Sequence, residues 1–217
     1  LQVVPDPIIL LSHPRLLARV QGFHRPRIIY DYLDDLGVHD ASGRPDPELV
    51  AAHQRLLADA AVVCATADRL LTEARAVRPD TLFCPNAVDY DHFHRAARPA
   101  PPDDLRPLVD AGQPLIGYYG ALAQWFDMEL LQAVAAQRPR YTFVLIGPDY
   151  DGALRDTLRA LPPNVHWLGE KPYETLPDYL AHFTVATIPF RVNAITLATS
   201  PLKLYEYFAG GKPVVTT

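Results

Sequence analysis

The residue types best suited to chemistry lie close together in the segment TSPLKLYEYFAGGKPVV, Thr199 to Val215. Ser200 is placed to cap a helix, Pro201 suits the first helical position, and Gly210-Gly211 stop the helix before Lys212-Pro213 lead into a strand. Leu202, Leu204, Tyr205, Phe208 and Ala209 make this helix apolar on nearly every side, so it is expected to be largely buried. Lys203 and Glu206 are then the exceptions that need a reason. A carboxylate in such surroundings is costly unless it is hydrogen-bonded, and the diol of a sugar offers two hydroxyl donors. Each hydrogen bond to a charged group contributes about 1.5–3 kcal/mol. The opening amides of Leu202, Lys203 and Leu204 form a seat for a phosphate. The helix dipole adds only about 0.3–1 kcal/mol, so the Lys203 ammonium must supply much of the attraction. A second reading stays open, in which Lys203 and Glu206 form a surface ion pair contributing about 0.2–0.5 kcal/mol.

The elements that position these groups follow from periodicity. Apolar runs of four to six residues alternate with helix-like stretches, the signature of βαβ units and parallel sheets. Strands are expected at Pro7–Leu11, Arg27–Asp31, Ala61–Ala65 and Thr81–Cys84. Asp46, Pro47 and Glu48 mark the start of the helix before the third of these. The stretch from Arg95 to Gln113 is rich in proline and polar residues and reads as a linker. After it come strand Pro114–Tyr119, helix Asp127–Gln137, strand Tyr141–Ile146, a helix around Ala153–Leu161 and strand Val165–Leu168. Helix Tyr173–His182, strand Thr184–Ile188, helix Pro201–Ala209 and strand Pro213–Val215 complete the series. The fold class is α/β, with two Rossmann-like, doubly wound parallel-sheet domains: residues 1–96, a linker over 97–113, and residues 114–217.

Composition narrows the partners. The 217 residues carry a net charge of −5 and no basic block, which argues against a nucleic-acid partner. At 49% hydrophobic and 21% charged the sequence is that of a globular protein, and no apolar run approaches the ~20 residues of a membrane span. Cys64 and Cys84 sit in strand-like runs without metal-ligand spacing and read as inert core thiols of a reducing, cytoplasmic compartment. His13, His24, His92 and His94 show no zinc-type arrangement. The only methionine is Met128, and the sequence stops at Thr217 just after a helix-stop signal, so both domains are expected to be incomplete.

The segment around Glu206 resembles the donor-site helix of retaining glycosyltransferases with the two-domain GT-B architecture, of the family 4 type. In that pattern two glutamates stand eight residues apart before A-x-G-x-P-V-V; Glu206 matches the second, and Ala198 occupies the position of the first. CPNAVDYDHF, Cys84 to Phe93, resembles the N-G-V-D-x-x-x-F turn that closes the acceptor domain. IGYYGALAQWFDMELL, Ile116 to Leu131, resembles the first strand, glycine loop and helix of the donor domain. FVLIGP, Phe143 to Pro148, and NVHWLGEKPYETLPDYLAHFTVATIPF, Asn164 to Phe190, resemble the elements around the nucleotide base. With YDYLDD near the start, the nearest subset is bacterial enzymes of the teichuronic acid type that build cell-surface polysaccharide.

What the resemblance implies is a donor site. Glu206 would hold the ribose, and the backbone from Ser200, Pro201 and Leu202 to Lys203 the diphosphate. Gly117 and Gly120 are expected at the carboxyl end of a parallel strand, where an absent side chain lets the diphosphate approach; a plain tight turn is the competing reading. The arginine and lysine that follow this glycine in many relatives are replaced by Ala121 to Phe126, so the cations become Arg191 and Lys203. Trp125 either stacks on the sugar or the base or is an ordinary core aromatic. Gly147, Pro148, Lys171 and Pro172 would shape the base pocket, with a solvated surface position as the alternative for Lys171. Asp31 and Asp34, with Asp35, are expected at the carboxyl end of a strand facing the cleft, to orient acceptor hydroxyls or act as a base; helix capping is the alternative. Their spacing does not match the D-x-D metal motif of GT-A enzymes, so no metal and no cofactor are expected, the nucleotide-diphosphate sugar being a substrate.

The expected activity is transfer of a glycosyl group, with retention, to a glycan or lipid-linked acceptor, in the cytoplasm and in peripheral contact with the inner membrane face. A UDP-sugar 2-epimerase of the same architecture and a nucleotide-sugar-binding module without catalysis are the alternatives.

Overall fold

The computed structural model describes residues 6–20, 22–35, 46–94, 99–193 and 196–217. Residues 95–98, where the linker reading begins and the 96/97 boundary falls, lie outside the described residues, as does the opening run at Leu1. The chain divides into two compact units: Leu1–Asn86 with Asn193–Ser200, and Ala87–Val192 with Pro201–Thr217.

The first unit has a parallel sheet in the order β1-β2-β3-β4, built from Ile8–Leu11, Arg27–Tyr32, Val62–Ala65 and Leu82–Phe83. Short α1 (Leu17–Val20), α2 (Pro47–Asp59) and α3 (Asp68–Val77) connect them. Asp46 caps α2 as expected, accepting from the amides of Glu48 and Leu49 at 3.0 and 3.3 Å. Alternation along the strands sends Leu11, Tyr30, Tyr32, Val63 and Ala65 into one core with Leu56, Leu57, Leu70 and Ala74, while Ile8 and Leu10 point the other way and are exposed. Ala198, on a 3-10 turn at Thr196–Ala198, is fully buried in that same core.

The second unit has a parallel sheet in the order β7-β6-β5-β8-β9: Val165–Trp167, Thr142–Ile146, Leu115–Tyr119, Val185–Ile188 and Val214–Thr216. The order runs outward from β5 in both directions, so a topological switch point lies between β5 and β8, beside whose carboxyl ends ligands bind in open α/β sheets. One face packs on a core that includes Tyr119, Tyr179, Leu180, Phe183 and Tyr207, the other on Tyr118, Leu122, Phe126, Met128, Leu131 and Leu158. The helices are α4 (Tyr90–Phe93), α5 (Arg106–Asp110), α6 (Met128–Gln137), α7 (Arg155–Arg159), α8 (Leu176–Leu180) and α9 (Leu202–Ala209). Asp127 caps α6 through the Leu130 amide at 3.0 Å. Within the stretch read as a linker, α5 forms and Leu105 is fully buried in the core of this unit.

Three expectations need correction. Cys84 is exposed rather than a core thiol, because β4 is the edge strand of its sheet; Cys64 is only half-buried. Burial and the neighbouring Cys84 push the Cys64 thiol up to about 11. Ser200 does not cap α9: Pro201 is the N-cap residue, and the Ser200 carbonyl instead accepts from the Asn86 side chain. The stretch Tyr173–His182 is not one helix but a 3-10 turn, Tyr173–Thr175, followed by α8.

Candidate functional site

The helix α9 is oriented against its composition. Its two polar exceptions turn inward, Glu206 keeping only 8% of its surface exposed, whereas Leu202 and Phe208 are 51% and 59% exposed. The expectation of a largely buried apolar helix is therefore wrong for those two side chains. An octet that is apolar on most sides has no single preferred inward face, and the neighbours decide. Here they are Tyr119 at the end of β5, whose ring lies 4.7 Å from that of Tyr207, and Tyr173 after β7.

Burial raises the Glu206 pKa above the usual carboxylate range, opposed by the Tyr119 hydroxyl, Lys203, His92 and the Tyr173 hydroxyl. The Tyr119 hydroxyl is fully enclosed and, among the described residues, has no hydrogen-bond partner of regular geometry, although it faces the carboxylate closely enough to favour its ionised form. Tyr207 secures the strand end from the other side, accepting from the Tyr119 amide at 3.0 Å. The carboxylate is thus set among hydroxyls, with acceptor capacity left over.

One turn earlier, the Lys203 side chain is half-buried and runs across the carboxyl end of β5. Its ammonium lies 5.6 Å from the centre of the Tyr118 ring and 5.1 Å from that of Phe190, within cation–π range of both. Burial lowers its pKa, and the Glu206 charge opposes the shift. At the same place Gly120 has φ +134°, and a Cβ there would lie 2.7 Å from Lys203 Cε. Gly147, at the end of β6, has φ +138°, and a Cβ there would collide with the Gly120 carbonyl oxygen at 2.0 Å. The two glycines let the ends of β5 and β6 touch, which opens a backbone-lined floor beneath the lysine. The Leu204 amide is already used by the Pro201 carbonyl at 3.0 Å, so Leu202 and Lys203 supply the opening amides of α9.

The remaining expected positions have the following surroundings. Gly117 is not at the strand end but in the middle of β5, and a Cβ there would meet the Phe183 ring at 2.1 Å; it is a packing glycine. Lys171 is partly buried rather than solvated: its ammonium pairs with Asp104 at 2.8 Å, and Asp104 also accepts from the Tyr179 hydroxyl at 2.8 Å. Pro172 opens the 3-10 turn, its carbonyl accepting from Thr175 Oγ1 at 2.8 Å. Pro148 ties the two loops together by accepting from the Leu122 amide at 2.9 Å. Trp125 is half-buried at the rim of the unit, its ring 6.0 Å from that of Tyr150. Arg191 is exposed, pairs with Glu129 at 3.7 Å and donates its amide to the Trp125 carbonyl at 2.8 Å.

In the first unit, Asp31 lies within β2 rather than beyond its end, in register with Cys64, and burial raises its pKa. Asp34 follows the strand and is exposed, and Asp35 pairs with Arg69 at 3.4 Å. The aromatic residues around Lys203 and Glu206, namely Tyr119, Phe190, Tyr173 and His92, carry no signal of their own in the sequence, because each comes from a different element.

Comparison with known proteins agrees with this architecture. Residues 113–217 match the family described as "Glycosyl transferases group 1". The chain is 29% identical over 206 residues to a protein of Bacillus subtilis (strain 168) named "Putative teichuronic acid biosynthesis glycosyltransferase TuaH", an alignment covering 88% of this chain and 50% of that one. The chain thus spans about half the length of the curated relative it matches. Among solved structures, Anabaena HepE in complex with UDP-glucose superimposes with a TM-score of 0.72 at 20% identity, over 96% of this chain and 59% of that one. Sucrose-phosphate synthase of Thermosynechococcus elongatus gives 0.69 at 20% identity, over 97% and 55%. The fold is that of the GT-B glycosyltransferases, with a Rossmann-like parallel sheet in each unit.

Proposed function

We propose that this chain belongs to a glycosyltransferase that moves a sugar from a nucleotide-diphosphate donor to a glycan or lipid-linked acceptor, with retention at the anomeric carbon. The observation that carries the reading is the inward turn of Glu206 one helical turn from Lys203, at the switch point of the second sheet. A buried carboxylate and a partly buried ammonium are both costly, and a nucleoside diphosphate would compensate both.

In this reading the diphosphate rests over Gly120 and Gly147, held by the opening amides of α9 and by Lys203. The ribose hydroxyls donate to Glu206. As the bond between the anomeric carbon and the diphosphate oxygen breaks, negative charge grows on the leaving group, and Lys203 with the amides stabilises it without reorganisation. Asp31 and Asp34 are assigned to the acceptor side, to orient hydroxyls. The donor is a substrate, and no metal or cofactor is invoked. Among the described residues no helix is long and apolar enough to cross a membrane; work in the cytoplasm, in peripheral contact with the inner membrane face, suits a lipid-linked acceptor.

The test is a panel of UDP-, GDP-, dTDP- and ADP-sugars scored for thermal stabilisation, with UDP-glucose as the first probe because a structural relative was solved with it. Incubation of the full-length protein with the stabilising donor and a glycan acceptor should release nucleoside diphosphate and a retained glycoside. No stabilisation by any donor would reject the reading. A binding module without catalysis is the second reading, favoured by Ala198, which fills a fully buried place in the first unit's core where the resembled pattern has a glutamate. That reading predicts stabilisation without transfer.

A further inference from the structure

Resting on the reading that the chain belongs to a glycosyltransferase, the loops that leave Gly120 and Gly147 also carry groups suited to a second sugar. Tyr150, on the loop after β6, is 70% exposed, and its ring centre lies 6.0 Å from that of the half-buried Trp125, on the loop after β5. A single exposed tyrosine is ordinary. This one is paired with a tryptophan of the neighbouring loop, and the backbone under both rings is fixed. Leu122, fully buried, ties the loops together: its amide donates to the Pro148 carbonyl at 2.9 Å, and its carbonyl accepts from the Tyr150 amide at 2.8 Å. The Trp125 carbonyl accepts from the Arg191 amide at 2.8 Å, and the next residue, Phe126, is fully buried. Rings rooted in this way have little freedom left to lose on binding.

Shape and polarity narrow what the pair can take. The two ring planes meet at 46°, so one planar base cannot lie flat on both. A pyranose chair is puckered, with an apolar face of C–H groups and a rim of hydroxyls. The same loops carry two carboxylates: Asp151 accepts from the Gln124 and Ala153 amides, each at 3.0 Å, and Asp149 from the Leu154 amide at 3.3 Å. A carboxylate offers about four acceptor positions, so both keep capacity for hydroxyl donors. The pair stands at the rim of the unit, outward of the Gly120–Gly147 floor. In the proposed reading that floor belongs to the donor, which leaves the rim to the acceptor.

We propose that Trp125 and Tyr150 form a stacking subsite for a sugar ring of the acceptor glycan, whose hydroxyls donate to Asp149 and Asp151. Aromatic side chains supply apolar area, and the carboxylates beside them fix the orientation of the ring that covers it.

The chain has two tryptophans, Trp125 and Trp167, so two indole N–H signals report on binding by NMR, and Trp125→Phe assigns them. The probes are maltohexaose, cellohexaose, mannohexaose and chitohexaose, with UDP as the comparison. At least one hexasaccharide should shift the Trp125 signal and leave that of Trp167, whose Nε1 donates to the Gly147 carbonyl at 2.9 Å. Tyr150→Ala should weaken that sugar on the order of ten-fold, whereas Tyr150→Phe, which keeps the ring, should retain most of the affinity. An unmoved Trp167 signal shows that each variant is folded. No shift of Trp125 with any hexasaccharide overturns the subsite, and so does an unchanged affinity in Tyr150→Ala. Displacement of the sugar by UDP would place the rings in the donor site and overturn it as well. If the sugar binds as expected and UDP does not bind at all, the transferase reading fails while the rings stand as a glycan-binding surface.

Discussion

Lys203 lies so close over Gly120 that a single added carbon on the glycine would come within 2.7 Å of the lysine Cε. The glycine is therefore what allows the lysine to reach across the end of β5. Because φ at Gly120 is +134°, alanine there is strained whether or not the lysine moves, at a cost of about 1–3 kcal/mol. Gly120→Ala is expected to lower the thermal midpoint and to weaken UDP binding by displacing Lys203. Intact affinity by calorimetry would show that the lysine does not need this position.

Glu206 is expected to trade stability for binding. Its folded-state pKa is raised by burial, so as pH climbs from the ordinary carboxylate range through the raised value the unfolded chain releases its proton first and the fold loses stability. At neutral pH Glu206→Gln should thus be at least as stable as the wild type, and denaturant titrations should show this advantage vanishing in acid. The same variant should bind UDP roughly 10- to 100-fold more weakly, the equivalent of one lost charged hydrogen bond of about 1.5–3 kcal/mol.

The two charges also set a pH window for donor binding. Glu206 must be ionised to accept from the diol, and its pKa is raised; Lys203 must be protonated to hold the diphosphate, and its pKa is lowered. Affinity for UDP-glucose, whose diphosphate diester stays ionised throughout, should fall on the acid side above the ordinary carboxylate range. On the alkaline side it should fall below the ordinary lysine value. A flat profile between those ordinary values would remove at least one of the two groups from the site.

Gly117→Ala separates packing from binding. The added methyl would press on the Phe183 ring in the core, and overpacking of this kind costs about 1–3 kcal/mol. Thermal denaturation should register the loss, while the folded fraction binds UDP as the wild type does.

Much of the scaffold was legible in one dimension. The alternation of apolar strands and amphipathic helices identified both parallel sheets, and Asp46 and Asp127 marked their helix starts because a cap bonds to amides two or three residues away. The end of α9 at Gly210-Gly211 was equally local. Pairings between distant residues were not legible. Lys171 had no visible partner because Asp104 stands on a segment that reads as linker, and the pair forms only when that segment packs on the second unit. Gly117 and Gly120 looked alike in sequence, yet one faces a phenylalanine ring in the core and the other a lysine at the strand end.

The amino-acid sequence by itself determined the α/β class, the order of the elements and the identity of a lysine and a glutamate one turn apart on a short apolar helix. Only the tertiary structure decided that this pair faces inward while Leu202 and Phe208 face water, and that tyrosines from separate elements surround the carboxylate. The reason is range: periodicity and capping act within a turn or two, whereas which way a nearly all-apolar helix faces is chosen by the side chains it meets across the fold.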